Sequence, residues 1–342
     1  MIDVHQTLSD LANFLQIASV GGKILPITKN FLEFIGRSEG FIRISGGDGV
    51  WGDKIPEEFE LMVNYADIGN IEKAKEYANK LVEKYPKDPR SYLSLGIINS
   101  LSGHISEAFE NLKKAGKYIE KIEDDEENQR FLLKLYSYLG SVSIQLGNME
   151  EAQMYLLKSL ELAEKLGDKK SKVDALVNIG LIYGRNQDYK NAEEIYKKAI
   201  ELTNSEDERD VIYNNLAHIY MKKKEPDKAI EYFKKSVEIA ERIGNKRRAG
   251  ELMLNLGMAY AMIGNLENAK KYLDEGLELA KQTGNKFWEA MGYRYVGHYN
   301  VITGNLEEGR NYLWKSYKMF RDEIGSEDLA NTVLKELDQI GT

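Results

Sequence analysis

Four histidines, His5, His104, His218 and His298, are the side chains best suited to proton transfer or zinc ligation, and their spacing supports neither. No His-Glu-x-x-His occurs, and no carboxylate stands beside them at ligand spacing. Cysteine is absent, which removes thiolate nucleophiles, thiolate metal sites and disulfides together. Gly21-Gly22-Lys23 lacks the leading Gly and the following Ser/Thr of a phosphate loop. Asp124-Asp125-Glu126-Glu127 lacks the Gly turn and spaced carboxylates of a calcium loop, and reads as a solvated helix entry. The chain is therefore expected to have no catalytic residues, no metal and no cofactor, and not to be an enzyme.

Tyrosine is abundant, at 21 residues. Tyr77, Tyr155, Tyr232, Tyr272 and Tyr312 each stand three positions after a small residue, and a row that regular reads as packing rather than a platform for bases. Such a row requires a repeated element to carry it.

That element is visible in the spacing of small residues. Met62/Ala74, Gly96/Ala108, Gly140/Ala152, Gly180/Ala192, Ala217/Ala229, Gly257/Ala269 and Gly297/Gly309 are all twelve apart, and six of the seven opening residues, all but Met62, are Gly or Ala. Each pair marks where two antiparallel helices touch, because a side chain no larger than a methyl lets helix axes approach to about 8 Å. Leu61, Leu95, Leu139, Ile179, Leu216, Leu256 and Val296 precede the first member of each pair. Ala78, Leu112, Leu156, Tyr196, Phe233, Leu273 and Leu313 follow the second by one turn, giving the i, i+3, i+4 pattern of amphipathic helices.

The punctuation agrees. Gly69-Asn70, Gly147-Asn148, Gly264-Asn265 and Gly304-Asn305 place Gly for a left-handed helix exit and Asn to cap the next helix. Gly167-Asp168, Gly244-Asn245, Gly284-Asn285 and Gly325-Ser326 repeat the device after the second helices, and Pro226 suits a first helical turn.

From Pro56 to Ile324 the chain resembles the tetratricopeptide-repeat (TPR) family, most plainly in the run NLGMAYAMIGNLENAKKYLDEGLELA that starts at Asn255. The resemblance implies an all-α fold, a right-handed α-solenoid of about seven TPR helix pairs with terminal capping helices. The intervals Ala152 to Ala192, Ala229 to Ala269 and Ala269 to Gly309 are 40 residues, against 34 from Ala74 to Ala108. Longer repeats of this kind are similar to those of cell-polarity adaptors and peptide-pheromone receptors. In the family the first helix of each pair lines a concave groove. The resemblance thus places Asn178, Leu181, Asn214, Asn215, His218, Asn255, Met258, Arg294, Tyr295 and His298 in a peptide-binding groove. Asn178, Asn215 and Asn255 hold equivalent positions, and a side-chain amide offers a donor and an acceptor to an extended peptide backbone. The cations of a chaperone-tail clamp are missing, since Leu93, Ser137, Val177, Asn214 and Leu254 stand where they would be.

Three segments follow: 1–54 as an N-terminal helical cap or extension, 55–325 as the array, and 326–342 as a closing helix with Ser326 as its cap. Residues 1–54 read as a degenerate helix pair, with Phe41 to Ile44 a possible short strand. Net charge is −8, which argues against a general nucleic-acid binder, although Lys169, Lys170, Lys172, Lys246, Arg247, Arg248 and Lys286 gather at helix starts as a candidate edge for an anionic partner. No uninterrupted apolar stretch reaches membrane-span length, and Met-Ile-Asp-Val-His lacks the basic opening of a signal peptide, so a cytoplasmic location without membrane contact is expected. The function expected is that of an adaptor or scaffold binding an extended or helical segment of a protein partner. The alternative is a peptide-responsive sensor with residues 1–54 as its effector segment.

Overall fold

A computed structural model describes residues 55–119 and 126–340, and these are all-helical. They fall into two compact units, one ending at Leu202 and one beginning at Thr203. The expected cap at 1–54, its strand, His5 and Gly21-Gly22-Lys23 lie outside the described residues, as do Asp124 and Asp125.

The first unit holds α1 (Glu57–Asp67), α2 (Ile71–Lys84), α3 (Pro89–Leu101), α4 (Ile105–Ile119), α5 (Glu126–Leu146), α6 (Met149–Lys165), α7 (Lys169–Arg185) and α8 (Tyr189–Leu202). The second holds α9 (Glu206–Lys222), α10 (Pro226–Arg242), α11 (Lys246–Met262), α12 (Leu266–Gln282), α13 (Lys286–Ile302) and α14 (Leu306–Lys318). A π-helical turn (Met319–Ile324) then leads to α15 (Glu327–Gln339). Odd-numbered helices up to α13 are the first members of pairs. Within each unit a first helix packs on its own second helix, and that second helix packs on the next first helix.

The small residues act as notches. A Cβ built on Gly257 would lie 2.7 Å from Leu273 Cγ, and one on Gly180 would lie 2.7 Å from Tyr196 Cε1. The first small residue thus receives the large side chain one turn beyond the second, rather than meeting the second small residue alone. Leu112, Leu156, Tyr196, Phe233, Leu273 and Leu313 are almost wholly buried in consequence. Each contributes roughly 1.5–3 kcal/mol of apolar burial.

The second-helix tyrosines pack as their regularity predicts. Each stacks on a first-helix tyrosine of its own pair: Tyr65/Tyr77 at 5.6 Å, Tyr136/Tyr155 at 6.0 Å, Tyr220/Tyr232 at 5.4 Å, Tyr260/Tyr272 at 5.6 Å and Tyr293/Tyr312 at 6.1 Å.

Caps follow the sequence in most places. Gly264 has φ +75° and Asn265 Oδ1 accepts from Asn268 N at 3.2 Å. Asn148, Asn305 and Ser326 occupy N-cap positions without a side-chain cap bond, which departs from the capping role expected of all three. Two turns of the same shape are made without glycine, at Gln187 (φ 62°) and Lys224 (φ 59°). Both are closed by the same backbone bond as the glycine turns, from Asp188 N to Tyr183 O and from Glu225 N to Tyr220 O, each at 2.9 Å. No helix among the described residues is long and apolar enough to cross a membrane.

Candidate peptide-binding face

In the second unit, the first helices α9, α11 and α13 align their residues by distance from the notch. Two positions before it stand Asn215, Asn255 and Tyr295, and three before it Asn214, Leu254 and Arg294. One position after it stand His218, Met258 and His298. The last two rows are four residues apart and so share a helix face, with the first row beside them.

None of these side chains is exposed. Asn214, His218, Asn255, Met258, Arg294, Tyr295 and His298 are buried, and Asn215 is half-buried. His218 lies edge-on to Phe233, with centroids 5.2 Å apart. Asn214 Oδ1, Asn255 Oδ1 and the Tyr295 hydroxyl have no hydrogen-bond partner. Leaving such a group buried and unbonded costs about 1–3 kcal/mol, and most buried polar atoms in folded proteins avoid it. Burial also pushes the Tyr295 hydroxyl well above its ordinary pKa, so it remains a neutral donor. One unsatisfied polar group thus lies on each of three successive first helices, each closed off from solvent.

Arg294 and His298 are different, because the chain itself supplies their partner. Arg294 Nε donates to Glu336 Oε2 at 3.0 Å and to Oε1 at 3.2 Å, with a further bond from its terminal nitrogen. His298 Nε2 lies 3.1 Å from Glu336 Oε2. Burial alone would raise the pKa of Glu336, but Arg294 and His298 outweigh it and pull the carboxyl down to about 2. Arg294 therefore does not stand open to a partner in this structure.

Three of the seven cations of the basic edge are likewise supplied with partners by the chain itself. Arg248 is committed to Asp210 and Glu251, and Asp210 also receives Ser236. Lys172 pairs with Glu164 at 2.8 Å, and Lys286 with Glu289 at 3.4 Å and Glu323 at 3.2 Å. Lys169, Lys170, Lys246 and Arg247 are exposed. At Lys172, Arg248 and Lys286 a carboxylate within reach offsets the unfavourable dipole of a helix start.

In the first unit, Asn178 is half-buried on α7, with its amide 3.5 Å from Ser141 Oγ on α5. At that length the contact is weak. Leu181 is half-buried too, and its neighbours include Ile179 and Ile182. On α3, Ser94 Oγ and Asn99 Oδ1 are buried without a partner. Sequence reasoning passed over both: Ser94 stands two before the notch Gly96, in the Asn178 row, but it is not an amide, and Asn99 lies outside the rows. The signal was there in a polar pair inside the apolar helix Pro89–Leu101.

Among the described residues no group of three or more histidine and carboxylate side chains could hold a metal ion. A shallow depression of ≈ 400 Å³ lies beside Leu266 and Tyr299, apart from the first-helix rows, and the exposed Lys270–Asp274 pair lines it.

A tetratricopeptide-repeat family model matches residues 131–205 and 208–282, and a second model of the same name matches 59–88. An outer dynein arm-docking complex subunit 4 of Danio rerio is 28% identical over 176 residues, which cover 49% of this chain and 36% of that protein. A TPR repeat-containing protein of Methanocaldococcus jannaschii is 24% identical over 245 residues, or 58% of this chain and 41% of the relative. The chain thus spans well under half the length of these relatives. Among solved structures, the apo form of RapI aligns with a TM-score of 0.62 at 16% identity, covering 77% of this chain and 96% of that one. That likeness is one of fold.

Proposed function

Because the chain belongs to the tetratricopeptide-repeat family, we propose that it is a protein-interaction module, an adaptor or scaffold that takes an extended segment of a protein partner against its first helices. The observation that carries this reading is the trio Asn214 Oδ1, Asn255 Oδ1 and Tyr295 OH, buried without hydrogen-bond partners on α9, α11 and α13. An extended peptide presents N–H and C=O groups at regular intervals, and once side-chain movement opens the face to it, it would satisfy two amide oxygens and a hydroxyl whatever its side chains. Asn215, half-buried beside Asn214 on α9, would extend the contact.

Each new bond adds about 0.5–1.5 kcal/mol net, so the polar groups alone give weak binding. Met258 is already buried in the free chain, so the remainder must come from side chains of the face that are still partly open, such as Asn215 and Tyr213. Affinity capture of the full chain followed by mass spectrometry would name partners. Titration calorimetry of one such partner against the Asn214→Ala/Asn255→Ala/Tyr295→Phe protein then tests the reading. We expect affinity to fall at least several-fold while the circular dichroism stays helical. Unchanged affinity would assign these groups to helix packing and move the binding surface elsewhere.

A further inference from the structure

Arg294 and His298 occupy the two rows of α13 that hold Asn214 and His218 in α9, and Leu254 and Met258 in α11. On α9 and α11, amide oxygens in or beside those rows lack partners. On α13 the rows are filled, and the occupant is Glu336 of α15. Three donors converge on one carboxylate: the Nε and terminal nitrogen of Arg294 in a planar fork, and Nε2 of His298. That geometry suits a carboxylate, since a guanidinium fork matches its two oxygens.

A helix that merely closes a stack does not need this cluster. Ala330, Val333 and Leu337 already bury the inner face of α15, which packs on α14 and the π-helical turn. Replacing a buried ion cluster by apolar side chains is often neutral or stabilising, so what the charges add is selectivity for a carboxylate at that point. An element at the edge of a repeat stack also opens at lower free energy than one inside it.

We propose that Arg294 and His298 form a carboxylate seat and that Glu336 is its internal occupant, displaced when an acidic segment of a partner binds. The proposal rests on the first-helix face being the peptide-binding face. Because Glu336 is tethered, it competes at a high effective concentration. Isolated acids would not dislodge it. A partner must also engage neighbours such as Tyr295 and Asn255, which makes displacement selective for a peptide that carries a carboxylate.

The test uses the full chain and fluorescein-labelled short peptides: amidated oligoglutamate, amidated oligoglutamine, and oligoglutamine with a free C-terminal carboxylate. By fluorescence anisotropy, Glu336→Gln should bind oligoglutamate about tenfold more tightly than the parent chain. Amidated oligoglutamine should show no such gain, and the gain should vanish in Arg294→Gln/Glu336→Gln. A gain confined to the free C-terminus would keep the seat and assign it to a terminal carboxylate. No gain for either acid, or a gain that survives loss of Arg294, overturns the proposal. Should Glu336→Gln prove misfolded, hydrogen exchange on the parent chain decides: saturating oligoglutamate should deprotect Glu327–Gln339 and not α11, and unchanged protection refutes displacement. The Asn255→Ala protein separates the two readings. If it loses partner binding while Glu336→Gln gains nothing, the seat fails and the peptide face stands. If Glu336→Gln gains through Arg294 while Asn255→Ala binds normally, the seat stands and the amide reading fails.

Discussion

Arg248 Nε donates to Asp210 Oδ2 at 2.8 Å, joining the N-terminal turns of the first helices α11 and α9. Around this bond the same guanidinium meets Glu251, and Ser236 of α10 donates to the Asp210 main-chain oxygen at 2.9 Å. Burial alone would lower the Arg248 pKa, but the Glu251 and Asp210 carboxylates reverse that, so the side chain stays charged throughout. Arg248→Met would leave two buried carboxylates without their cation, and should cost about 3–5 kcal/mol in urea unfolding. Lys246→Glu/Arg247→Glu removes exposed cations of the same run and should change stability by no more than about 0.5 kcal/mol. Equal effects from the two variants would mean that the Asp210 cluster does not hold α9 to α11.

The notch at Gly257 gives a second expectation. A methyl there would lie 2.7 Å from Leu273 Cγ and 3.0 Å from the Leu273 backbone nitrogen. Overpacking of this kind costs about 1–3 kcal/mol, because Leu273 is buried and has no room to retreat. Leu273→Ala should cost about 2–5 kcal/mol by itself. Combined with Gly257→Ala it should cost less than the sum of the two, since the space left by one admits the other. Strict additivity in a thermal-unfolding cycle would show that these residues do not meet as described.

The helix pairs could be read from the chain because notch, large partner and Gly exit are local signals repeated at fixed spacing. Gly257, Leu273 and Gly264 each announce themselves within a single repeat. Gln187 and Lys224 did not, because a left-handed residue that is not glycine has no compositional mark. The site was legible only in part. Its residue positions follow from the register of the notch, but their partners lie about 40 residues away along the chain, as with Arg294 and Glu336. Arg248 read as part of a basic edge for the same reason. Its neighbours in sequence are exposed cations, whereas its neighbours in space are Asp210 and Glu251.

Acid should loosen α15 in a defined window. The Glu336 carboxyl sits at about 2 in the folded chain, below the roughly 4.3 of an unfolded glutamate. A depressed carboxyl stabilises the fold above its unfolded pKa, and that stabilisation is lost as pH falls from about 5 towards 2. The loss should reach on the order of 3 kcal/mol for this group. Other carboxylates titrate in the same range, so the measurement is a difference: stability of the parent chain minus that of Glu336→Gln, followed from pH 6 to pH 2. The difference should shrink across the window. A flat difference would mean that Arg294 and His298 do not hold the ionised carboxylate.

Asn255 offers the sharpest separation of binding from packing. Its side chain is 2% exposed and its Oδ1 has no partner, so the unbound protein carries an uncompensated desolvation cost. Asn255→Leu keeps the volume and removes that cost, and should raise the stability of the free chain by about 1 kcal/mol. The same change removes an acceptor from a bound peptide, so affinity should fall several-fold, in line with about 0.5–1.5 kcal/mol per bond. Tyr295→Phe should act in the same direction, with a smaller gain in stability because only a hydroxyl is lost. Residues kept for packing behave in the opposite way, since their loss lowers stability and leaves affinity alone. Thermal unfolding and calorimetric titration of the same Asn255→Leu preparation therefore decide between the two roles. A destabilised variant with undiminished partner binding would remove Asn255 from the binding face.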